Sequence, residues 1–174
     1  MKKFLIVCIL FVMTMSLCCC SLGQTKTSDV NEYPKYLSKV EYAEDYMPSM
    51  EQCGNYSSML ITYKKSGILF EIYTLGLFLS YNEDEYNQQK ETILSSCEFF
   101  NPEDEELNSD CDALVDGYSI RLVKQEYPLD TYKMGVLIGL NDEKQKICYL
   151  YYYDFDLDIL DDLDTYVKTY FNMA

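Results

Sequence analysis

The stretch Lys146-Ile147-Cys148-Tyr149-Leu150-Tyr151-Tyr152-Tyr153 decides the architecture. Successive side chains of a strand point to opposite faces. Here both sets are apolar or aromatic: Ile147, Tyr149, Tyr151 and Tyr153 on one side, Cys148, Leu150 and Tyr152 on the other. A strand with one wet face alternates with polar residues, so this one belongs in the middle of its sheet. Asn141, Asp142 and Glu143 form a turn before it, which makes Met134–Leu140 its antiparallel partner.

Working outward, strand character recurs at Tyr118–Lys124. Met59, Ile61 and Tyr63 alternate with Leu60, Thr62 and Lys64, and Lys65, Ser66 and Gly67 turn the chain into Ile68–Tyr73. Leu75–Tyr81 reads as a further strand beyond a bulge or turn at Thr74–Gly76. Pro34–Met47 buries Leu37, Val40, Ala43 and Met47 at helical spacing, and Ser49 to Gly54 reads as one capped turn. Asn82 caps a helix with Glu83, Asp84 and Glu85 in its first turn and Tyr86, Ile93, Leu94 and Cys97 on its buried stripe. A last helix carries Ile159, Leu160, Leu163, Tyr166, Val167, Tyr170 and Phe171, with Asp158, Asp161 and Asp162 at its start. The expected class is α+β: an antiparallel sheet of five to six strands with two to three helices packed on one face. Each half of the order is about three strands followed by an acid-capped helix, so a duplicated unit is one reading.

The amino terminus has a different character. Lys2 and Lys3 precede an uncharged apolar run, Phe4–Leu17, of the length of a signal peptide's core and short of a bilayer span. Leu17-Cys18-Cys19-Cys20 resembles the bacterial lipobox, with an aliphatic residue three before the cysteine that receives diacylglycerol. Cys18 and Cys19 stand where that motif has small residues. The resemblance implies a lipoprotein precursor, lipidated at Cys20 and held outside the cytoplasmic membrane by its acyl chains. The alternative is a secreted chain beginning at Gln24, after a cut that follows Gly23. The expected organisation is a signal peptide at 1–20, a flexible tether at 21–33 and one domain at 34–174. Tyr46-Met47-Pro48-Ser49-Met50 with Gly54 and Tyr56, together with Ser80–Tyr86, is similar to small lipoproteins of Gram-positive bacteria, a resemblance that brings location and no activity.

Composition bounds the partners. The chain has 14 basic and 29 acidic residues, a net charge of −15, and loss of Lys2 and Lys3 takes it to −17. Nucleic acid needs a basic face and is excluded as a partner; anionic headgroups repel such a domain overall. Basic proteins or peptides suit it. Of eight cysteines, four remain after the first 20 residues; an exported domain permits two disulfides among them in three connectivities, one being Cys97–Cys111 across the acidic loop with Cys53–Cys148, against four reduced, buried thiols.

No histidine is present, which removes histidine bases and triads, and the isolated glycines form no phosphate loop. Asp154, Asp156, Asp158 and Asp162 have the spacing of part of an EF-hand loop, but Ile159 and Thr165 stand where it needs Gly and Glu, so these aspartates are weak metal candidates. The acidic loop around Glu103–Glu106, Asp110 and Asp112 is the second cation candidate. No cofactor is expected. Tyrosine, at 18 residues, fits either a core or an amphipathic binding face through Tyr149–Tyr153 and Tyr166–Tyr170. The expected function is that of a surface-tethered, non-enzymatic binding or accessory protein. A carboxylate-dependent hydrolase and an immunity or inhibitor protein are the alternatives, the hydrolase requiring a cleft with two close carboxylates, one of them desolvated.

Overall fold

The computed structural model describes residues 24–66, 71–101, 110–125, 133–154 and 162–173. Among them seven strands form one antiparallel sheet: Thr25–Thr27 (β1), Ser58–Ser66 (β2), Ile72–Ser80 (β3), Asp112–Val115 (β4), Tyr118–Leu122 (β5), Lys133–Asn141 (β6) and Lys146–Asp154 (β7). Four helices accompany them: Tyr33–Leu37 (α1), Ala43–Tyr46 (α2), Glu83–Ser96 (α3) and Leu163–Phe171 (α4). The strand order is β1-β2-β3-β7-β6-β5-β4, which makes β7 the central strand. It pairs along its whole length on both sides, Ser80↔Lys146 through Ile72↔Asp154 with β3 and Asn141↔Lys146 through Lys133↔Asp154 with β6.

Because β7 is apolar on both faces, both faces are covered. On one, Ile61, Leu75, Leu77, Val136, Ile138, Tyr149 and Tyr151 pack beneath α1, α2 and the Tyr86 and Ile93 side chains of α3. On the other, Ile120, Leu137, Cys148, Leu150 and Tyr152 pack beneath Leu163, Tyr166, Val167 and Phe171 of α4. This corrects the expectation of helices on one face. It also removes the duplicated unit. A two-fold axis relating antiparallel neighbours β3 and β7 runs normal to the sheet and would leave their following helices on the same face.

The strand count of five to six is corrected to seven, in three places. Ile72–Ser80 is one strand and not two: Gly76 is no turn but a close approach, with a Cβ there meeting Thr62 Oγ1 at 2.5 Å. Thr25–Thr27, within the stretch read as a tether, pairs with Ile61–Tyr63. Asp112–Val115 joins β5 through Asp116 (φ 49°) and Gly117 (φ 77°), the two left-handed residues of a tight hairpin. Both added strands lie at edges and are short, so neither carries a two-sided apolar pattern. The helix expected over Pro34–Met47 is two short helices broken at Tyr42, whose φ is +61°. Tyr36, Val40, Ala43 and Met47 are buried nonetheless.

Short helices leave most of their end carbonyls without intrahelical partners. Tyrosines supply donors to this layer. Tyr151 OH donates to the carbonyl of Glu41 (2.8 Å), Tyr81 OH to that of Cys53 (2.9 Å) and Tyr33 OH to that of Pro48 (2.9 Å). Removing the Tyr151 hydroxyl leaves a carbonyl unsatisfied, so Tyr151→Phe is expected to cost about 1–2 kcal/mol in urea unfolding. Tyr56→Phe, at a half-buried hydroxyl with no hydrogen bond among the described residues, is expected to stay within about 0.5 kcal/mol.

Candidate functional site

α3 is positioned by contacts along its amino-terminal half. Asn82 caps it by accepting from Glu85 N (2.9 Å), and three acidic residues fill its positive first turn. Further along, Asp142 in the β6–β7 turn accepts from Lys90 Nζ (2.6 and 2.8 Å) and Tyr86 OH (2.5 Å). Lys90, with help from Tyr86, holds the Asp142 carboxyl below its ordinary range. Opposite α3, Ser49 and Gln52 cap one turn reciprocally, Ser49 N donating to Gln52 Oε1 (2.7 Å) and Gln52 N to Ser49 Oγ (3.3 Å). Gly54, at φ +64°, lets that turn close against the Gln89 amide of α3.

Between these two fixed walls lies a half-open cleft of about 660 Å³, within the range of ligand sites. Its floor is apolar, built from Ile93, Val136, Ile138 and Tyr149, with Met47 and Val123 beside them. Its rim is polar: Glu44 and Asp45 of α2, Gln52, Thr92, Ser96 and Gln125. Among the described residues no lysine or arginine lines it. Chemically it offers burial to aliphatic or aromatic groups and a negative edge to a cation. A second, smaller cleft of about 270 Å³ lies on the α4 face between Phe78, Leu60, Phe171 and Met173, with Lys26, Lys146 and Asp116 among its polar groups.

The residues expected from sequence to carry chemistry are dispersed. Cys20, Asp156, Asp158 and Glu103–Glu106 lie outside the described residues. Asp154 ends β7 and is the only buried carboxylate among the described residues. It lies within electrostatic reach of Tyr166 and Tyr170 and lines neither cleft. Among the described residues no three His, Cys, Asp or Glu side chains gather as for a metal. Glu71 is held down by Lys65 and Tyr73, Asp142 by Lys90, and Asp162 by the amide and hydroxyl of Thr165. A general acid at neutral pH needs the opposite shift.

Among the described residues Cys53, Cys97, Cys111 and Cys148 form no disulfide, so neither pairing read from the sequence is present. Cys53 packs in the α3-face core and Cys148 in the α4-face core, with the sheet between them. Cys97 borders the first core and Cys111 lies in the second. The tyrosines likewise are core: of the 16 described none is exposed, and Tyr149, Tyr151, Tyr152, Tyr153 and Tyr166 are buried. The tyrosine binding face is therefore replaced by a tyrosine-filled interior. The cleft itself escaped sequence reading, since Thr92 and Ser96 on α3 and Glu44 and Asp45 on α2 are far apart in the chain. The one local signal was the Ser49–Gln52 turn beside them.

The chain matches no known family model, no curated protein and no solved structure.

Burial pushes the Cys53 thiol up to about 12 and raises Cys148 further, while Cys97 is half-exposed on the larger cleft. A thiolate is the reacting species. In the mature chain with Cys20 absent, native labelling by a thiol reagent at pH 8 is therefore expected at Cys97, with Cys53, Cys111 and Cys148 reacting only after denaturation. Mass mapping of the labelled peptides checks this.

Proposed function

We propose that this chain is a lipid-anchored, extracytoplasmic binding protein without catalytic activity, and that its ligand is an extended segment of a partner protein bearing apolar and basic side chains. The reading rests on the cleft between α2 and α3. An apolar floor with an acidic, amide-rich rim and, among the described residues, no cation suits a strand-like peptide that buries alternate apolar side chains and presents Lys or Arg at Glu44 and Asp45. The rim charge adds mainly to encounter rate and orientation. Location is supported by the Lys2–Leu17 signal pattern and the Leu17–Cys20 lipobox. Against a carboxylate-dependent hydrolase stands the absence, among the described residues, of a cleft that pairs a desolvated carboxylate with a second one.

Two experiments separate the parts. Intact mass of the membrane fraction is expected to give a chain beginning at Cys20 with diacylglycerol, absent for Cys20→Ala; a released chain beginning at Gln24 would remove the anchor. A photocrosslinker at the exposed Thr92 is expected to capture a basic partner on intact cells. Glu44→Lys with Asp45→Lys is expected to weaken that complex by about tenfold or more while leaving the unfolding midpoint in place. An adduct insensitive to charge reversal would reject the cleft as the binding surface.

A further inference from the structure

The anchor end of the sheet is fixed by register. Thr25 pairs with Tyr63, so the chain that leads into β1 emerges beside Lys64 at one end of β2. Gln24 is already docked, its Nε2 donating to the carbonyl of Phe171 (3.4 Å). Only five residue steps separate Cys20 from Thr25, a reach of about 17 Å at full extension. A tether of that length keeps the start of the β1–β2 edge within about 17 Å of the lipidated residue.

The charge of that edge is opposite to that of the chain. Lys26, Lys39 and Lys64 have no carboxylate partner among the described residues, and the first two are exposed. Lys26 and Lys64 lie on the α4 face, Lys64 with its ammonium 4.9 Å from the Tyr170 ring centre and donating to the carbonyl of Thr169 (3.4 Å). Lys39 lies on the other face, its ammonium 4.6 Å from the ring centre of Tyr36, which stacks on Tyr63. The three ammoniums therefore straddle the edge strand. Of the nearby carboxylates, Glu71 is paired with Lys65 and Asp164 with Lys168, whereas Asp29, two residues beyond β1, is exposed and its carboxylate accepts only from Asn31, which leaves three lysines against one carboxylate.

From this we infer that the β1–β2 edge is a bilayer-facing surface, with Lys26, Lys39 and Lys64 against anionic phospholipid headgroups. The inference rests on the lipid-anchor reading. It turns the rest of the acidic domain outward, with the floor of the larger cleft on β6 and β7, three to four strands and about 14–19 Å across the sheet from β1. Each lysine near such a surface strengthens contact by roughly fivefold.

The test couples the mature chain, residues 20–174 with Cys97→Ser, through Cys20 to a maleimide lipid, so it is independent of lipidation in the cell. Lysine acetylation is followed by mass spectrometry on mixed phosphatidylcholine and phosphatidylglycerol vesicles, against the same chain in solution. Lys26, Lys39 and Lys64 are expected to be protected by about fivefold or more, and Lys90 and Lys144, at the β6–β7 end of the sheet, unchanged. Uniform labelling overturns the orientation even if Cys20 proves lipidated. Equal protection on pure phosphatidylcholine overturns the headgroup contact. A cell-derived chain without lipid overturns the anchor alone.

Discussion

The constraint on which the structure depends is the two-sided apolarity of β7. A strand whose residues from Ile147 onward are buried on both faces cannot lie at a sheet edge or under a single layer. It requires a hydrogen-bonding neighbour on each side, which are β3 and β6, and a layer above and below, which are the α1–α3 layer and α4. Since β3 precedes β7 by about 70 residues, closing the sheet must await the whole β4–β6 meander. The fold is built from long-range pairing with little helical stability of its own.

Tyrosine does the work that tryptophan, leucine and polar caps share in other cores. Its ring fills volume between sheet and helix, as in the Tyr166–Tyr170 stack at 4.6 Å and the Tyr152–Tyr166 edge contact at 5.7 Å. Its hydroxyl reaches carbonyls that short helices and turns leave open, at Glu41, Pro48 and Cys53. A layer of four- and five-residue helices is thereby held in register with the strands beneath it. This is why the 16 described tyrosines accompany so little exposed aromatic surface.

The same layer creates the larger cleft. Its two walls are fixed by separate devices, the Asp142 clamp on α3 and the Ser49–Gln52 turn with Gly54, and the apolar floor lies between them. Charge is distributed in keeping with this layout: carboxylates and amides ring the cleft, whereas three of the four described lysines without an acidic partner among the described residues, Lys26, Lys39 and Lys64, lie at the β1–β2 edge, the fourth being Lys146 on β7. A net charge of −15 averages over these two surfaces and describes neither.

The sequence by itself determined what depends on local pattern: the central position of Lys146–Asp154, the β6–β7 hairpin, the Asn82 cap, the turn at Ser49–Gly54, and the exclusion of histidine chemistry. These are read from spacings of two to four residues, where backbone geometry acts directly. Only the tertiary structure decided the rest. Whether Gly76 is a turn or a close approach depends on Thr62 in the neighbouring strand. Whether Thr25–Thr27 is tether or edge strand depends on the free edge of β2. Helices on one face or two depend on how the chain crosses the sheet, and Cys53 and Cys148 end in different cores because of it. The cleft joins side chains separated by more than 100 residues, from Glu44 to Tyr149, and no local spacing carries that information because the sheet, not the chain, brings them together.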